Sequence, residues 1–208
     1  MLLARTAAPA DLVSIADIKA HLRIDHTYDD TTLTAIQAVV GDFLDGRNGY
    51  LRRALCSQTW QWSLPCFPPS GELHFPLPPL QSITSIQYYD TTETLQTFAS
   101  SEYYTYTQAP AGYVKLKQLA TWPATYDRDD AVLVTFVAGY GASSAVPISI
   151  RQAALILAGN MYANRGDMAP DDAMKAMDGT CRALLAPHRL QEFNLAHERY
   201  WNGYGHGA

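Results

Sequence analysis

A twofold change of texture constrains this chain more than any single residue does. Residues 14–55 and 145–186 read as alanine-rich amphipathic helices, while the stretch between them is crowded with Trp, Tyr, Thr and Pro. A helical body interrupted by a β insertion must complete its core across the break, so its two halves are expected to meet. The class is therefore α+β: a helical body of about four helices, an antiparallel β insertion and an extended C-terminal tail. The expected divisions are 1–56 and 142–187 for the body, 57–141 for the insertion and 188–208 for the tail.

Local signals carry this reading. Ser14 can cap a first helix, with Asp17 three residues on reaching back to it. Ile15, Ile18 and Leu22 then recur at helical spacing, and Lys19 and Arg23 fall on the wet side. Asp25–Asp30 is a polar break where Asp29 or Asp30 can cap a second helix, whose inner face is Leu33, Ile36, Val40, Phe43 and Leu44. Gly46-Arg-Asn-Gly49 stops it, and Tyr50–Leu55 reads as one further helical turn. From Ser57 the period becomes two, with Trp60, Trp62 and Leu64 alternating with Thr59, Gln61 and Ser63. Strands are also expected near 73–75, 83–89, 95–98, 103–106, 113–117 and 131–138, with a hairpin turn at Asp90–Glu93. Such spacing suggests a sandwich or a small open barrel. Helix returns after Val146-Pro147, with Ile150, Ala154, Leu157, Ala158 and Met161 buried and Asn164-Arg-Gly166 as its stop. A last helix opens at Pro170, with Ala173, Met177, Cys181, Leu184 and Leu185 facing inward and Pro187 ending it.

Composition narrows the function. A formal charge of −5 on 208 residues argues against a general nucleic-acid binder, which needs a basic patch to displace counterions. Cys56, Cys66 and Cys181 lack metal or redox spacing and read as buried thiols. No apolar run approaches the ~20 residues of a membrane span, and Met1–Arg5 lacks a signal peptide's apolar stretch. A soluble protein made in a reducing cytoplasm is expected. Asp29-Asp30, Asp129-Asp130 and Asp171-Asp172 read as helix starts and turns rather than catalytic carboxylates. His188, His197 and His206 do not share a helix face, Gly139-Tyr-Gly141 reads as a turn, and no nucleophile, phosphate-loop or zinc motif occurs. No catalytic residue, metal or cofactor is expected. Trp60, Trp62, Tyr88, Tyr89, Tyr103, Tyr104 and Tyr106 read as cross-strand packing, or else as a ligand or subunit face.

In order along the chain stand Ile18-Lys-Ala-His-Leu-Arg-Ile-Asp25, Ala54-Leu55 leading to Gln58-Thr59-Trp60, and Phe75-Pro-Leu-Pro78 before Ile83-Thr-Ser-Ile86. Trp122-Pro123, Phe136-Val-Ala-Gly-Tyr140, Val146-Pro147, Ile150-Arg151, Tyr162-Ala-Asn-Arg165 and Leu185-Ala-Pro-His-Arg189 follow. By the order and spacing of these pieces, across most of residues 12–190, the chain resembles the head-tail connector (adaptor) proteins of tailed bacteriophages and gene transfer agents. The branch it resembles carries a β insertion in the helical connector body. The resemblance implies a non-enzymatic ring, usually a dodecamer, beneath the portal protein at the virion neck, made in the bacterial host cytoplasm. The ring would extend the DNA channel, encircle double-stranded DNA without reading sequence, and dock the next tail or stopper protein. It also implies that the C-terminal segment embraces the portal, so Leu190, Phe193, Leu195, Tyr200, Trp201 and Tyr204 are the portal-binding expectations. Asp25, Asp29 and Asp30 are the channel-lining ones. The alternative is another neck or tail component, or a carbohydrate-binding accessory module using Trp60 and Trp62.

Overall fold

The computed structural model describes residues 2–108, 111–164 and 177–190. The α+β class holds, and the chain divides into two units. A helical unit takes Ala10–Cys56 with the described residues from Tyr140 to Leu190, and a β unit takes the N-terminal strand with Ser57–Gly139.

In the helical unit, α1 (Ile15–Leu22) begins with the reciprocal cap that its sequence foretells. The Ser14 hydroxyl accepts from the Asp17 N–H, and the Asp17 carboxylate accepts from the Ser14 N–H. The Ser14 hydroxyl, which donates to that carboxylate at 2.7 Å, and then the Ser14 N–H hold the Asp17 carboxyl below its ordinary pKa. Helix α2 (Asp30–Leu44) buries Leu33, Ile36, Val40 and Leu44. It also buries Gln37, which stays satisfied because its amide donates to the Val13 carbonyl at 2.7 Å. Helix α3 (Ile148–Ala163) buries Ile150, Ala153, Ala154, Leu157, Ala158 and Met161 and stops at Asn164. Helix α4 (Gly179–Leu185) starts where Asp178 accepts from the Cys181 N–H, and it buries Cys181 and Leu185. One apolar cluster joins these faces with Leu12, Val13, Leu51 and Leu55. The two halves of the unit are stitched where they meet: the Tyr140 N–H donates to the Leu55 carbonyl, and Cys56 bridges to Gly141.

Two expectations for this unit are corrected. Tyr50–Leu55 is a turn, not helix. The Asp45 carboxylate accepts from the Leu55 N–H and Gly46 donates to Arg53, folding the chain back on itself. Gly49 belongs there because a Cβ would lie 2.2 Å from the Asp45 carbonyl oxygen. The last helix is also shorter than expected on its described side. Met177 is buried but precedes the cap at Asp178, while Pro170, Asp171, Asp172 and Ala173 lie outside the described residues.

In the β unit, β1 (Leu2–Ala7), β2 (Gln58–Leu64), β8 (Val132–Ala138), β4 (Leu80–Tyr89) and β5 (Leu95–Thr97) form one sheet in that order. A second sheet orders β3 (Glu72–His74), β7 (Tyr113–Leu116) and β6 (Tyr103–Tyr106). Every strand pairing is antiparallel. Strand β8 is central because Val132, Val134, Phe136 and Ala138 alternate inward. Strand β1 lies within residues 1–56, which the sequence assigns to the helical body, yet it belongs to the β unit. It has no inward alternation, since nearly all of it is exposed, so only its pairing with β2 defines it. Phe75, just past β3, bridges the sheets by packing on Trp62 of β2 and Phe136 of β8, at 5.9 and 4.9 Å between ring centroids. This is the sandwich option rather than the barrel. Gly112 (φ +67°) sits against Leu80, where any Cβ would fall 2.4 Å from the leucine's own.

Cys56 and Cys181 are buried, and burial pushes both thiols up to about 11. Cys66 is exposed, against expectation, because it follows Pro65 on a surface loop rather than a core-facing strand.

Candidate functional site

The three carboxylates expected to line a channel do not share one environment. Asp25 is exposed in the loop after α1. Asp29 holds the cap position of α2 but makes no capping bond with its side chain. Its carboxylate accepts instead from the Tyr162 hydroxyl of α3 at 2.6 Å. Asp30 pairs with Lys19 of α1 at 2.7 Å. Asp29 thus ties α2 to α3 across the break in sequence and Asp30 ties α2 to α1, and of the three only Asp25 is fully given to solvent. Nothing in the sequence marks Tyr162 as a partner, because the bond spans 133 positions. Tyr28 in the same loop is 91% exposed, with its ring tilted against His26 at 5.5 Å between centroids.

Of the residues expected to bind a portal, Leu190 is described, and Phe193, Leu195, Tyr200, Trp201 and Tyr204 lie outside the described residues. The root of the tail is held in three places. The Leu190 N–H donates to the Leu51 carbonyl at 3.2 Å. The Arg189 guanidinium lies over the Tyr50 ring, 4.7 Å from its centroid. His188 Nε2 shares a 2.7 Å hydrogen bond with the Ser149 hydroxyl. Burial, and then the charge of Arg53, lowers the His188 pKa. Arg53 in turn donates to the Tyr140 hydroxyl. The tail therefore leaves from a fixed point on the helical unit, made by the turn that replaces the expected helix at 50–55.

The aromatic residues of the β unit divide by exposure. Trp60 and Trp62 are 8% and 2% exposed, so neither presents a ring face to a sugar. Phe67 and Trp122 stack at 4.5 Å and 3° beneath an open groove of about 580 Å³ edged by Pro68, Pro69, Leu116 and Pro123. Tyr104 and Tyr106 of β6 stand outward, at 53% and 41%. His74, Tyr113 and Tyr106 stack in one row across β3, β7 and β6, with successive centroids 5.0 and 4.7 Å apart. The sequence marks Tyr104 and Tyr106 as a pair on one strand, but not the row they belong to.

Among the described residues no group of His, Cys, Asp and Glu is placed to hold a metal ion. Among the same residues no helix is long and apolar enough to cross a membrane.

No protein-family model and no curated protein matches the sequence. Solved structures do. A chain from the neck of an empty gene transfer agent (GTA) particle, computed with C6 symmetry, is similar at a TM-score of 0.71 and 21% identity. That likeness covers 92% of this chain and 96% of that one. A chain from the neck of the native GTA particle, computed with C12 symmetry, and one from the virion of the native particle each give a TM-score of 0.67. Both have the same identity and the same coverage. At this identity the likeness is one of fold, and it runs through both units.

Proposed function

We propose that this chain is a structural subunit of the neck of a phage-like particle, acting there as a head-tail connector. The observation that carries the reading is the fold it shares, over 92% of its length, with chains of GTA necks. A match confined to one unit would support much less, since sandwiches and helical bundles recur in many settings. The twelvefold and sixfold symmetries of those necks support a closed ring of copies, twelve in the particle.

A ring repeats one heterologous contact until rotation closes it, and its many equivalent contacts make a modest interface strong. The portal would lie above it and a tail or stopper protein below. DNA would pass without being held, which suits a chain of net charge −5. Asp25 is the described acid available to the lumen, whereas Asp29 and Asp30 stabilise the helical unit. The tail would reach the portal through Phe193, Leu195, Tyr200, Trp201 and Tyr204. Leu190 and Arg189 would form its hinge on Leu51 and Tyr50. The role is mechanical, without catalysis or cofactor, in the virion neck.

The test is co-sedimentation with the portal ring encoded in the same genome, followed by negative-stain imaging. The full chain should add a ring to the portal. A chain ending at Leu190, which keeps the Arg189–Tyr50 and Leu190–Leu51 contacts, should lose it. Retention by the shorter chain would move the anchor into the helical unit. Failure of both chains would overturn the connector reading.

A further inference from the structure

Among the described residues strand β6 (Tyr-Tyr-Thr-Tyr) is an edge of its sheet, and its own residues offer little that keeps an edge from pairing, the nearby charge being Lys117, 5.1 Å from the Tyr104 ring centroid. Strand β1, an edge of the other sheet, has a register shift between Arg5 and Ala7 and carries a charge at Arg5. Strand β5 is only three residues long. Strand β6 has neither proline nor charge, and its register with β7 is unbroken from Tyr103↔Leu116 to Tyr106↔Tyr113. Three of its four residues are exposed.

The hydrogen-bond phase of that ladder shows which main-chain groups face outward. The Lys117 N–H donates to the Glu102 carbonyl at 2.9 Å, which makes Glu102 and Lys117 a bonded pair. Bonded and non-bonded pairs alternate in an antiparallel ladder. Tyr104 and Tyr106 therefore bond to β7, and the N–H and C=O of Tyr103 and Thr105 point away from it. On the outer face, the ring row from His74 through Tyr113 ends at Tyr106. Tyr106 belongs to the edge strand, so among the described residues no further strand lies beside its ring on the side away from Tyr113.

We propose that a second copy of this chain adds to this edge, β6 against β6, antiparallel about a two-fold axis through Thr105. The sequence is self-complementary in that register. Thr105 meets Thr105 of the other copy as a bonded pair, using the groups that face outward. Tyr104 of each copy then falls opposite Tyr106 of the other, as a non-bonded pair, where side chains approach most closely. The ring row continues across the axis in both directions, and tyrosine suits such a contact because it is amphipathic and enriched at interfaces. Copies in a cyclic ring all face the same way round, so a two-fold pairing cannot persist there. It belongs to the free subunit and must open before a ring closes.

Sedimentation velocity of the full chain, from low to high micromolar concentration, tests this directly. A reversible monomer–dimer equilibrium is expected. Thr105→Pro removes an outward N–H but no bond to β7, and it should weaken self-association about tenfold or more, as should Tyr106→Ala. Bonded pairs set Cα atoms about 5.5 Å apart, within disulfide reach. In a Cys66→Ser background, Thr105→Cys should therefore oxidise to a covalent dimer faster than Thr97→Cys on β5. A chain monomeric throughout overturns the proposal. So does a dimer indifferent to Thr105→Pro, or cross-linking at 97 as fast as at 105. None of these outcomes bears on portal binding, which the truncation experiment reads separately.

Discussion

Among the described residues the helical unit buries no aromatic ring in its core, which is made of Leu, Ile, Val, Ala, Met and two cysteines. The β unit is built the other way, around Trp60, Trp62, Phe67, Phe75, Tyr103 and Phe136, all 8% exposed or less. Branched aliphatic side chains on helices offer many small contacts that repack with little loss, so no single residue is indispensable. Rings packed between sheets touch through large, oriented faces, as Phe75 does on Phe136 at 65°. The helical unit should therefore tolerate substitution that conserves volume, and the β unit should not.

The largest effect expected tests that difference. Phe136→Ala, in β8 between Trp60 of β2 and Ile83 of β4, should lower stability by about 3–5 kcal/mol. Leu157→Ala in α3 falls in an overlapping range, about 2–5 kcal/mol. The discriminating pair is milder. Leu157→Met should cost less than about 1.5 kcal/mol, whereas Phe136→Leu removes the ring face that Phe75 packs on and should cost more. Chemical denaturation of the four variants reads this, and equal costs for the two milder changes would end the contrast.

The next effect concerns how each unit begins its elements. Helix α1 depends on the reciprocal cap between Ser14 and Asp17, so Ser14→Ala should lose about 1 kcal/mol at neutral pH. The Asp17 carboxyl is held below its ordinary value, first by the Ser14 hydroxyl and then by the Ser14 N–H. A depressed folded pKa stabilises the protein above the ordinary carboxylate value and less as pH falls through the depressed one. The gap between wild type and Ser14→Ala should therefore be full at pH 7 and shrink as pH drops below about 4. A gap independent of pH would mean that Asp17 does not take part in the cap.

How much of this was legible in the sequence follows from how local each signal is. Caps and amphipathic faces act within four residues, so Ser14–Asp17 and the inner faces of α1, α2 and α3 could be read directly. The expected strands from β2 to β8 were equally visible, because alternation and turn residues mark them without reference to partners. Strand β1 was not, since an exposed edge strand has no inward face to alternate. Tyr50–Leu55 carries apolar residues at near-helical spacing, but Asp45 and Gly46 bind the chain back on itself and override that pattern. The site was less legible than the fold. Asp29 and Asp30 look like one acidic pair, yet Tyr162 and Lys19 draw them to different helices. The hold on the tail by Tyr50, Leu51 and Ser149 rests on distant pairings that no local pattern encodes.

The smallest effect lies on the surface of the β unit, where charge should count for little beside the rings below it. Glu72 on β3 pairs with Lys115 on β7 at 2.8 Å, with the lysine side chain exposed and the glutamate half-buried. The hydrogen bond from Lys115 is the first reason the Glu72 carboxyl is held below its ordinary pKa; the Lys115 charge and His74 add to it. Glu72→Gln should therefore destabilise the protein at pH 7 and low salt by less than Ser14→Ala does, because solvent screens a surface pair. The loss should fade in high salt, and again as pH falls from the ordinary carboxylate value through the depressed one. Thermal unfolding at low and high ionic strength measures it. A loss larger than that of the α1 cap, or one unmoved by salt, would mean that this outer row shapes the three-stranded sheet as strongly as its buried face does.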